Sequence, residues 1–236
     1  MSLHPNSHPI MIALDSADTD IAYNLIHQLR GLPCWLKVGM ELYYSAGPDF
    51  IRRLKHEGYS IFLDLKLHDI PNTVRRSSSV LAKLGVDMLN VHAAGGFEMM
   101  RSALAGVREV SDSTKVIAVT QLTSTDDEML KKEIGIDAPL QDIVIRYAKL
   151  AKEAGLQGVV SSAAEATLIK MVCGPQFLTI TPGIRLAGST FHDQKRVMTP
   201  IEAIKNGADY LVIGRTITEA PNPRDVFSQI LTEISS

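Results

Sequence analysis

Several signatures that would assign this chain to a particular class of protein are scarce or missing. No apolar run approaches the roughly 20 residues that span a bilayer, and residues 1–9, with two histidines and two prolines, lack the apolar core of a signal peptide. The net charge of −2 lacks the basic excess that is typical of nucleic-acid and anionic-membrane binders. We therefore expect a cytoplasmic protein with a loose tail over 1–9 and with no nucleic-acid or membrane partner.

Signatures of metals and cofactors are equally sparse. The two cysteines, Cys34 and Cys173, lie in apolar stretches away from any CxxC or His/Cys cluster, which predicts buried, inert thiols rather than a zinc or redox site. His68 and His92 lack partner ligands at metal-binding spacing. No G-x-G-x-x-G turn follows a candidate strand, which counts against dinucleotide binding. The sequence thus predicts neither a metal nor a cofactor.

Short apolar and β-branched runs, in contrast, recur along most of the chain, with amphipathic segments of helical spacing between most of them. Strands that alternate with helices predict βαβ units and a parallel sheet. Eight strand candidates in 236 residues favour an α/β fold with a single (β/α)8 TIM barrel over 10–236, with an open Rossmann-like sheet as the alternative. The candidate strands are residues 10–14, 35–40, 60–65, 88–92, 116–122, 158–161, 177–181 and 210–214.

Three tripeptides that begin with glycine and end with Asp or Gln precede candidate strands, at 85–87, 155–157 and 207–209. A glycine commonly ends a helix by adopting a left-handed backbone conformation, so these tripeptides indicate junctions between helix and strand. No linker or low-complexity tract interrupts the alternation, which predicts one domain.

The most informative stretch is D-L-K-L-H-D-I-P-N-T at 64–73, which a buried strand leads into. Residues i and i+2 of a strand share a face, so Asp64 and Lys66 are predicted to point together toward the carboxyl-terminal mouth, where barrel active sites lie. Asp15 closes the first strand and Lys37 lies in the second. Isolated charges in apolar strands need partners, so these four residues are expected to converge. A purely structural ion pair is the plainer alternative.

A second pair of motifs indicates a phosphate site. The seventh strand runs into T-P-G-I-R at 181–185, and the eighth into I-G-R at 213–215. Phosphate often binds at the loops after these two barrel strands. Gly214 lets the backbone approach such a ligand, and Arg185 and Arg215 offer charged donors. Turn glycines with surface arginines would explain each motif alone, but explain the two together less well.

These blocks, with T-Q-L-T-S at 120–124, resemble the orotidine 5'-phosphate decarboxylases in order from about residue 9 to residue 220, and the bacterial form most of all. The D-x-K-x-x-D block alone is shared with sister barrels such as keto-gulonate phosphate decarboxylases, whereas its combination with the Thr123 and Arg185 blocks is more specific. The resemblance implies a carboxy-lyase of pyrimidine biosynthesis that converts orotidine 5'-phosphate to uridine 5'-phosphate without a cofactor.

The resemblance also assigns roles. Lys66 would protonate C6 of the pyrimidine, in a charged catalytic network with Asp64, Asp69 and Lys37. The sites would be shared across a homodimer, and the loop over 186–196 would close over the phosphate. The substrate-binding residues so implied are Asp15 and Lys37 for the ribose, Asp64 beside Lys66, Asp69 and Thr73 for the neighbouring subunit's site, Thr123 for the pyrimidine, and Arg185, Gln194, Gly214 and Arg215 for the phosphate.

Three other functions stay open at this stage. A sister barrel would decarboxylate a sugar phosphate with Mg²⁺ held by carboxylates. An aldolase would use Lys37 or Lys66 to form a Schiff base. A barrel without catalytic activity would only bind a phosphorylated ligand.

Overall fold

A computed structural model describes residues 9–186 and 198–235. Adjacent strands pair in parallel, and the last strand pairs with the first, which closes the sheet into an eight-stranded barrel. The predicted fold is confirmed, and the open-sheet alternative is wrong. The strands are β1 Ile10–Leu14, β2 Trp35–Gly39, β3 Ser60–Leu67, β4 Met88–His92, β5 Lys115–Val119, β6 Gly158–Val160, β7 Leu178–Thr181 and β8 Tyr210–Ile213.

Helices cover the outside of the barrel, as the amphipathic segments between the candidate strands predict. Within 9–186 and 198–235, no helix is both long enough and apolar enough to cross a membrane. The helices are α1 Thr19–Gln28, α2 Met40–His56, α3 Pro71–Ala82, α4 Gly96–Arg108, α5 Asp127–Lys132, α6 Leu140–Glu153, α7 Ala163–Cys173, α8 Pro200–Lys205, α9 Arg215–Thr218 and α10 Pro223–Ser235.

The predicted strand ends differ from the observed ones by up to three residues. β5 ends at Val119 rather than at residue 122, whereas β3 continues to Leu67 rather than stopping at residue 65. Hydrophobic periodicity reports which face a residue occupies, but not where hydrogen bonding to the neighbouring strand stops. The predicted tail over 1–9 lies outside the described residues, except for Pro9.

Two apolar layers follow from the alternation of side chains along each strand. One set packs between the sheet and the helices, and includes Ile12 and Leu36. The other fills the barrel interior, where the Trp35 and Tyr210 rings meet edge to face at 5.3 Å. This inner plug occupies the part of the barrel nearer the amino-terminal ends of the strands. The inward-facing residues further along β2 and β3 therefore lie at the carboxyl-terminal mouth. The plug consists of Met11, Ala13, Trp35, Phe62, Met88, Ile117, Ile180 and Val212.

The two cysteines are buried and unbonded, as predicted. Burial raises the pKa of Cys34 to about 12, so its thiol carries no thiolate at neutral pH and is a poor nucleophile or metal ligand. Both residues belong to the apolar layer outside the barrel.

The three glycine-led tripeptides fasten the amino-terminal ends of the strands. Their glycines have positive φ values of 78°, 87° and 96°, which confirms the predicted helix ends. Their final Asp or Gln accepts a hydrogen bond from the backbone amide of the second residue of the preceding strand. The pairs are Asp87 with Ile61 at 2.7 Å, Gln157 with Val116 at 2.8 Å, and Asp209 with Thr179 at 2.7 Å.

Replacing Asp209 with alanine tests the strength of this arrangement. Its Oδ2 accepts from both the Thr179 amide and the Lys170 Nζ, the latter at 2.6 Å. Asp209→Ala therefore removes the side-chain acceptor of the partly buried Thr179 amide, and it removes the opposite charge beside Lys170, whose Nζ keeps the carbonyls of Pro175 and Phe177. We expect the free energy of unfolding to fall by about 2–3 kcal/mol, measured by denaturant titration. The matched control is Asp137→Ala, which breaks an exposed pair with Lys131 and should cost less than about 1 kcal/mol. Equal losses in the two variants would contradict the fastening role.

Candidate active site

A cavity of about 900 Å³ opens at the carboxyl-terminal mouth of the barrel. Apolar side chains form part of its lining, among them Ala13, Phe62, Val119, Val160 and Val212. A cavity of this size, with a lining that combines apolar and charged side chains, is typical of a small-molecule site. The predicted site residues that line it are Asp15, Lys37, Asp64, Lys66, Thr123, Arg185, Gly214 and Arg215.

Four charged side chains from the first three strands form a chain of alternating sign. Lys37 Nζ lies 2.8 Å from Asp15 Oδ1 and 3.6 Å from Asp64 Oδ2, and Lys66 Nζ lies 2.7 Å from Asp64 Oδ1. The Lys37 and Asp64 side chains are only 10% and 13% exposed. Burial on this scale is tolerated because each charge has an opposite partner, so the predicted convergence of these four residues is present in the fold.

Asp64 is ionised in this setting. Burial alone would raise the pKa of its carboxyl group, but the positive charges of Lys37 and Lys66, together with hydrogen bonds from Lys66 and Asn90, outweigh burial. The pKa of Asp64 therefore lies below its ordinary value of 3.8. At neutral pH the carboxylate presents a fixed negative charge beside the Lys66 ammonium.

The backbone at Lys66 departs from the regular strand that the sequence prediction assumed. The pairing of β3 with β4 is interrupted between Leu63 and Leu67. Within this irregularity, Lys66 has a φ of 52°, and it is the only non-glycine residue with positive φ in the part of the chain that the structure describes. Such strain at a charged residue in a cavity is typical of functional sites.

Asn90 is a residue that the sequence reasoning missed. Its Nδ2 donates to Asp64 Oδ1 at 2.6 Å, and its Oδ1 accepts from the Lys66 backbone amide at 2.8 Å. The available signal was a single amide in the buried strand M-L-N-V-H, two residues after the inward-facing Met88. Apolar strands rarely carry such a group unless a specific partner satisfies it.

Two arginines that follow the seventh and eighth strands also line the cavity. Arg185 follows β7, is buried, and donates from Nη1 to the Ile184 carbonyl at 2.8 Å. Arg215 is the first residue of α9, directly after Gly214. Because β8 pairs with β1, Arg215 follows a strand adjacent to the one that Asp15 follows.

Two predicted site residues that the structure describes, Asp69 and Thr73, do not line this cavity. Asp69 and Thr73 are exposed, and the Asp69 carboxylate accepts a hydrogen bond from the adjacent Ile70 amide at 2.6 Å. Gln194 lies outside the described residues, as does the predicted closing loop over 186–196 except for Leu186. The side chains that the fold brings together thus come from the strand ends and not from the segment after β3.

The two histidines flanking the site pack against each other. The His68 and His92 rings lie 5.5 Å apart. Burial, followed by the charges of His68 and Lys66, lowers the pKa of His92, which favours a neutral ring. No cluster of three or more His, Cys, Asp or Glu side chains suited to a metal ion occurs in residues 9–186 and 198–235.

Residues 8–230 match the model of the orotidine 5'-phosphate decarboxylase / HUMPS family. The chain belongs to this family. Its relatives include proteins named orotidine 5'-phosphate decarboxylase from Geobacillus thermodenitrificans, which is 50% identical over 229 residues (95% of this chain and 96% of that one), and from Bacillus mycoides, which is 49% identical over 228 residues (also 95% and 96%).

Solved structures of the same family share the fold. A crystal structure of orotidine 5'-phosphate decarboxylase from Lactobacillus acidophilus is 39% identical, with a TM-score of 0.86 over 97% of this chain and 99% of that one. A conserved protein from Geobacillus kaustophilus, described as uncharacterized, is 44% identical, with a TM-score of 0.85 over 96% of this chain and 100% of that one.

The lowered pKa of Asp64 predicts a specific pH dependence of stability. A carboxyl group whose pKa is lower in the folded chain stabilises the fold above its unfolded value, and this contribution disappears as the pH falls through the folded value. Asp64→Asn removes the contribution and should lower the free energy of unfolding at pH 7 by roughly 3 kcal/mol. The difference from the unmodified chain should shrink as the pH falls below 3.8.

The measurement is a series of denaturant titrations of both chains from pH 7 downward for as long as they remain folded. Asp112→Asn, at an exposed turn position, serves as the control and should change the unfolding free energy by under about 0.5 kcal/mol. A difference between Asp64→Asn and the unmodified chain that stayed constant with pH would contradict the lowered pKa.

Proposed function

We propose that this chain converts orotidine 5'-phosphate to uridine 5'-phosphate and CO₂, the carboxy-lyase step of de novo pyrimidine synthesis. The observation that carries the proposal is the contact of 2.7 Å between Lys66 Nζ and Asp64 Oδ1, in the mouth cavity of a barrel of this family. The names of the relatives at about 50% identity support the same reaction. They favour it over the magnesium-dependent sugar-phosphate branch, the Schiff-base aldolase and the barrel without catalytic activity.

The reaction explains why a lysine paired with a carboxylate is suitable. The bond between C6 and the carboxylate breaks, CO₂ leaves, and the electron pair stays on C6 of the pyrimidine. The Lys66 ammonium would stabilise that developing negative charge and then transfer a proton to C6. One side chain would thus supply both charge and proton, so that no cofactor is required.

Asp64 would have two effects in this mechanism. Its carboxylate would keep the Lys66 ammonium oriented. Its negative charge would also lie beside the carboxylate that leaves, which raises the free energy of the bound substrate relative to the transition state. Asp69, the remaining proposed member of the catalytic network, would approach from the neighbouring subunit.

The rest of the substrate would follow the cavity lining. Asp15 and Lys37 would bind ribose hydroxyls, and Thr123 would hydrogen-bond the pyrimidine above the apolar floor. Arg185, Gly214 and Arg215, with Gln194 from the loop over 186–196, would hold the phosphate. Because the phosphate is remote from C6, its binding energy could align the ring and drive closure of that loop.

We further propose a cytoplasmic homodimer with shared sites. The segment after β3 supports this, because Asp69 and Thr73 are exposed and absent from the cavity of their own chain. Two apolar side chains of the same segment, Ile70 and Val80, are 66% and 59% exposed. Exposed apolar side chains beside exposed polar ones are typical of a surface that another subunit covers.

The reaction is tested by adding purified, EDTA-dialysed protein to orotidine 5'-phosphate and following the loss of substrate absorbance. The role of the proton donor is tested with Lys66→Ala in the same assay. Removing a positioned charge and acid should lower turnover by on the order of 10³-fold or more, whereas affinity for uridine 5'-phosphate should persist. Lys131→Ala, which removes an exposed lysine, is the control and should turn over normally. A strict metal requirement, or near-normal turnover by Lys66→Ala, would refute the proposed chemistry.

Mixing two inactive variants tests the shared site. Lys66→Ala and Asp69→Ala should each be nearly inactive as homodimers. In a heterodimer, two-fold symmetry places both defects in one site, and leaves the other with a native Lys66 and the native Asp69 of the opposite chain. Co-refolding should therefore restore activity, with one intact site per heterodimer. No recovery, despite heterodimers verified by differential tags, would place Asp69 in its own chain's site.

A further inference from the structure

We propose that Asn90 is a positioning residue for this reaction: its side-chain amide fixes the backbone of Lys66 and the carboxylate of Asp64 relative to each other. The inference rests on the proposed function, because it takes Lys66 as the proton donor. It adds a residue on β4 to a site that is otherwise built from side chains of other strands and loops.

The first step concerns the backbone of Lys66. Its φ of 52° is unfavourable for a residue with a side chain, and persists only where the surroundings fix it. The regular pairing of β3 with β4 is interrupted at this point. The Asn90 Oδ1 instead accepts a hydrogen bond from the Lys66 backbone amide at 2.8 Å. Asn90 therefore replaces a sheet hydrogen bond and holds the strained residue in place.

The second step concerns the carboxylate of Asp64. Its Oδ1 accepts from the Lys66 Nζ at 2.7 Å and from the Asn90 Nδ2 at 2.6 Å, while its Oδ2 faces the Lys37 Nζ at 3.6 Å. Both oxygens thus have assigned partners, and the Asn90 contact opposes rotation of the carboxylate. Asp64 in turn orients the Lys66 ammonium. Asn90 therefore acts on Lys66 at two points, directly at its backbone amide and through Asp64 at its ammonium group.

The third step concerns the chemistry of the amide itself. Asn90 must offer an acceptor to the Lys66 backbone and a donor to Asp64, and a primary amide supplies both from one rigid group. Only one orientation works, because the flipped amide would set its NH₂ against a backbone N–H and its oxygen against a carboxylate. Asn90 is 1% exposed and does not line the cavity, so it acts through Lys66 and Asp64 and not on the substrate.

Two variants of Asn90 separate these contacts. Asn90→Ala removes both. Asn90→Asp keeps the shape and an acceptor for the Lys66 amide, but replaces the donor to Asp64 with a second carboxylate. If Asn90 positions the proton donor, both variants should lose about 10²-fold in kcat for orotidine 5'-phosphate. KM and the affinity for uridine 5'-phosphate should stay within about threefold, because the groups proposed to bind ribose and phosphate are unchanged.

The matched control is Thr114→Val. It also removes a buried hydrogen bond, from Thr114 Oγ1 to the Val86 carbonyl at 2.8 Å, but just before β5, at the amino-terminal end of the barrel. Thermal melting measures the stability lost by every variant, and all rates are expressed per folded protein. Thr114→Val should lower the melting temperature while kcat stays within about threefold of the unmodified chain.

The outcomes are distinguishable. If the unmodified chain does not turn over orotidine 5'-phosphate, the proposed function fails. If the unmodified chain does turn it over, and every Asn90 variant that folds keeps kcat within about threefold of the unmodified chain, the positioning role is overturned while the proposed function stands. A loss of kcat no larger than that of Thr114→Val would likewise reduce Asn90 to a structural residue. Loss of kcat at unchanged KM, with Thr114→Val unaffected, supports the role.

Discussion

The site depends on one constraint, which is that charge buried at the mouth of an apolar barrel must be neutralised by charge from neighbouring strands. Parallel pairing sets β1, β2 and β3 side by side, with Ala13 opposite Lys37 and Gly39 opposite Asp64. This register lets Lys37 contact both Asp15 and Asp64. Burying each charge is unfavourable, but each charge also stabilises a neighbouring charge of opposite sign. Removing any one of them therefore affects the whole set.

The two ends of the barrel carry different kinds of polar contact. At the amino-terminal end, the side chains of Asp87, Gln157 and Asp209 accept hydrogen bonds from backbone amides and hold the strands together. At the carboxyl-terminal end, the charged groups contact one another and face a cavity. The apolar plug lies between the two sets, so the contacts that hold the strand starts and the charges that line the cavity are separate groups of residues.

Much of this was predictable from sequence. The alternation of apolar runs and amphipathic segments predicts the barrel, and the placement of Asp15, Lys37, Asp64 and Lys66 at strand ends predicts their convergence. The irregularity at Lys66 was not predictable, because a left-handed residue inside a strand depends on how the next strand pairs with it. Asn90 was missed for the same reason: its role lies in two contacts with β3, which no spacing along the chain reveals.

The unequal exposure of the two lysines has a consequence for repeated cycles of the proposed reaction. Once Lys66 has given up a proton, the four side chains together carry one negative charge, which draws a proton back toward the network. The Lys66 side chain is 24% exposed and that of Lys37 only 10%. Water entering after the product leaves would therefore reach Lys66 more readily than Lys37, so in the proposed reaction the proton would return from solvent to the same atom that lost it.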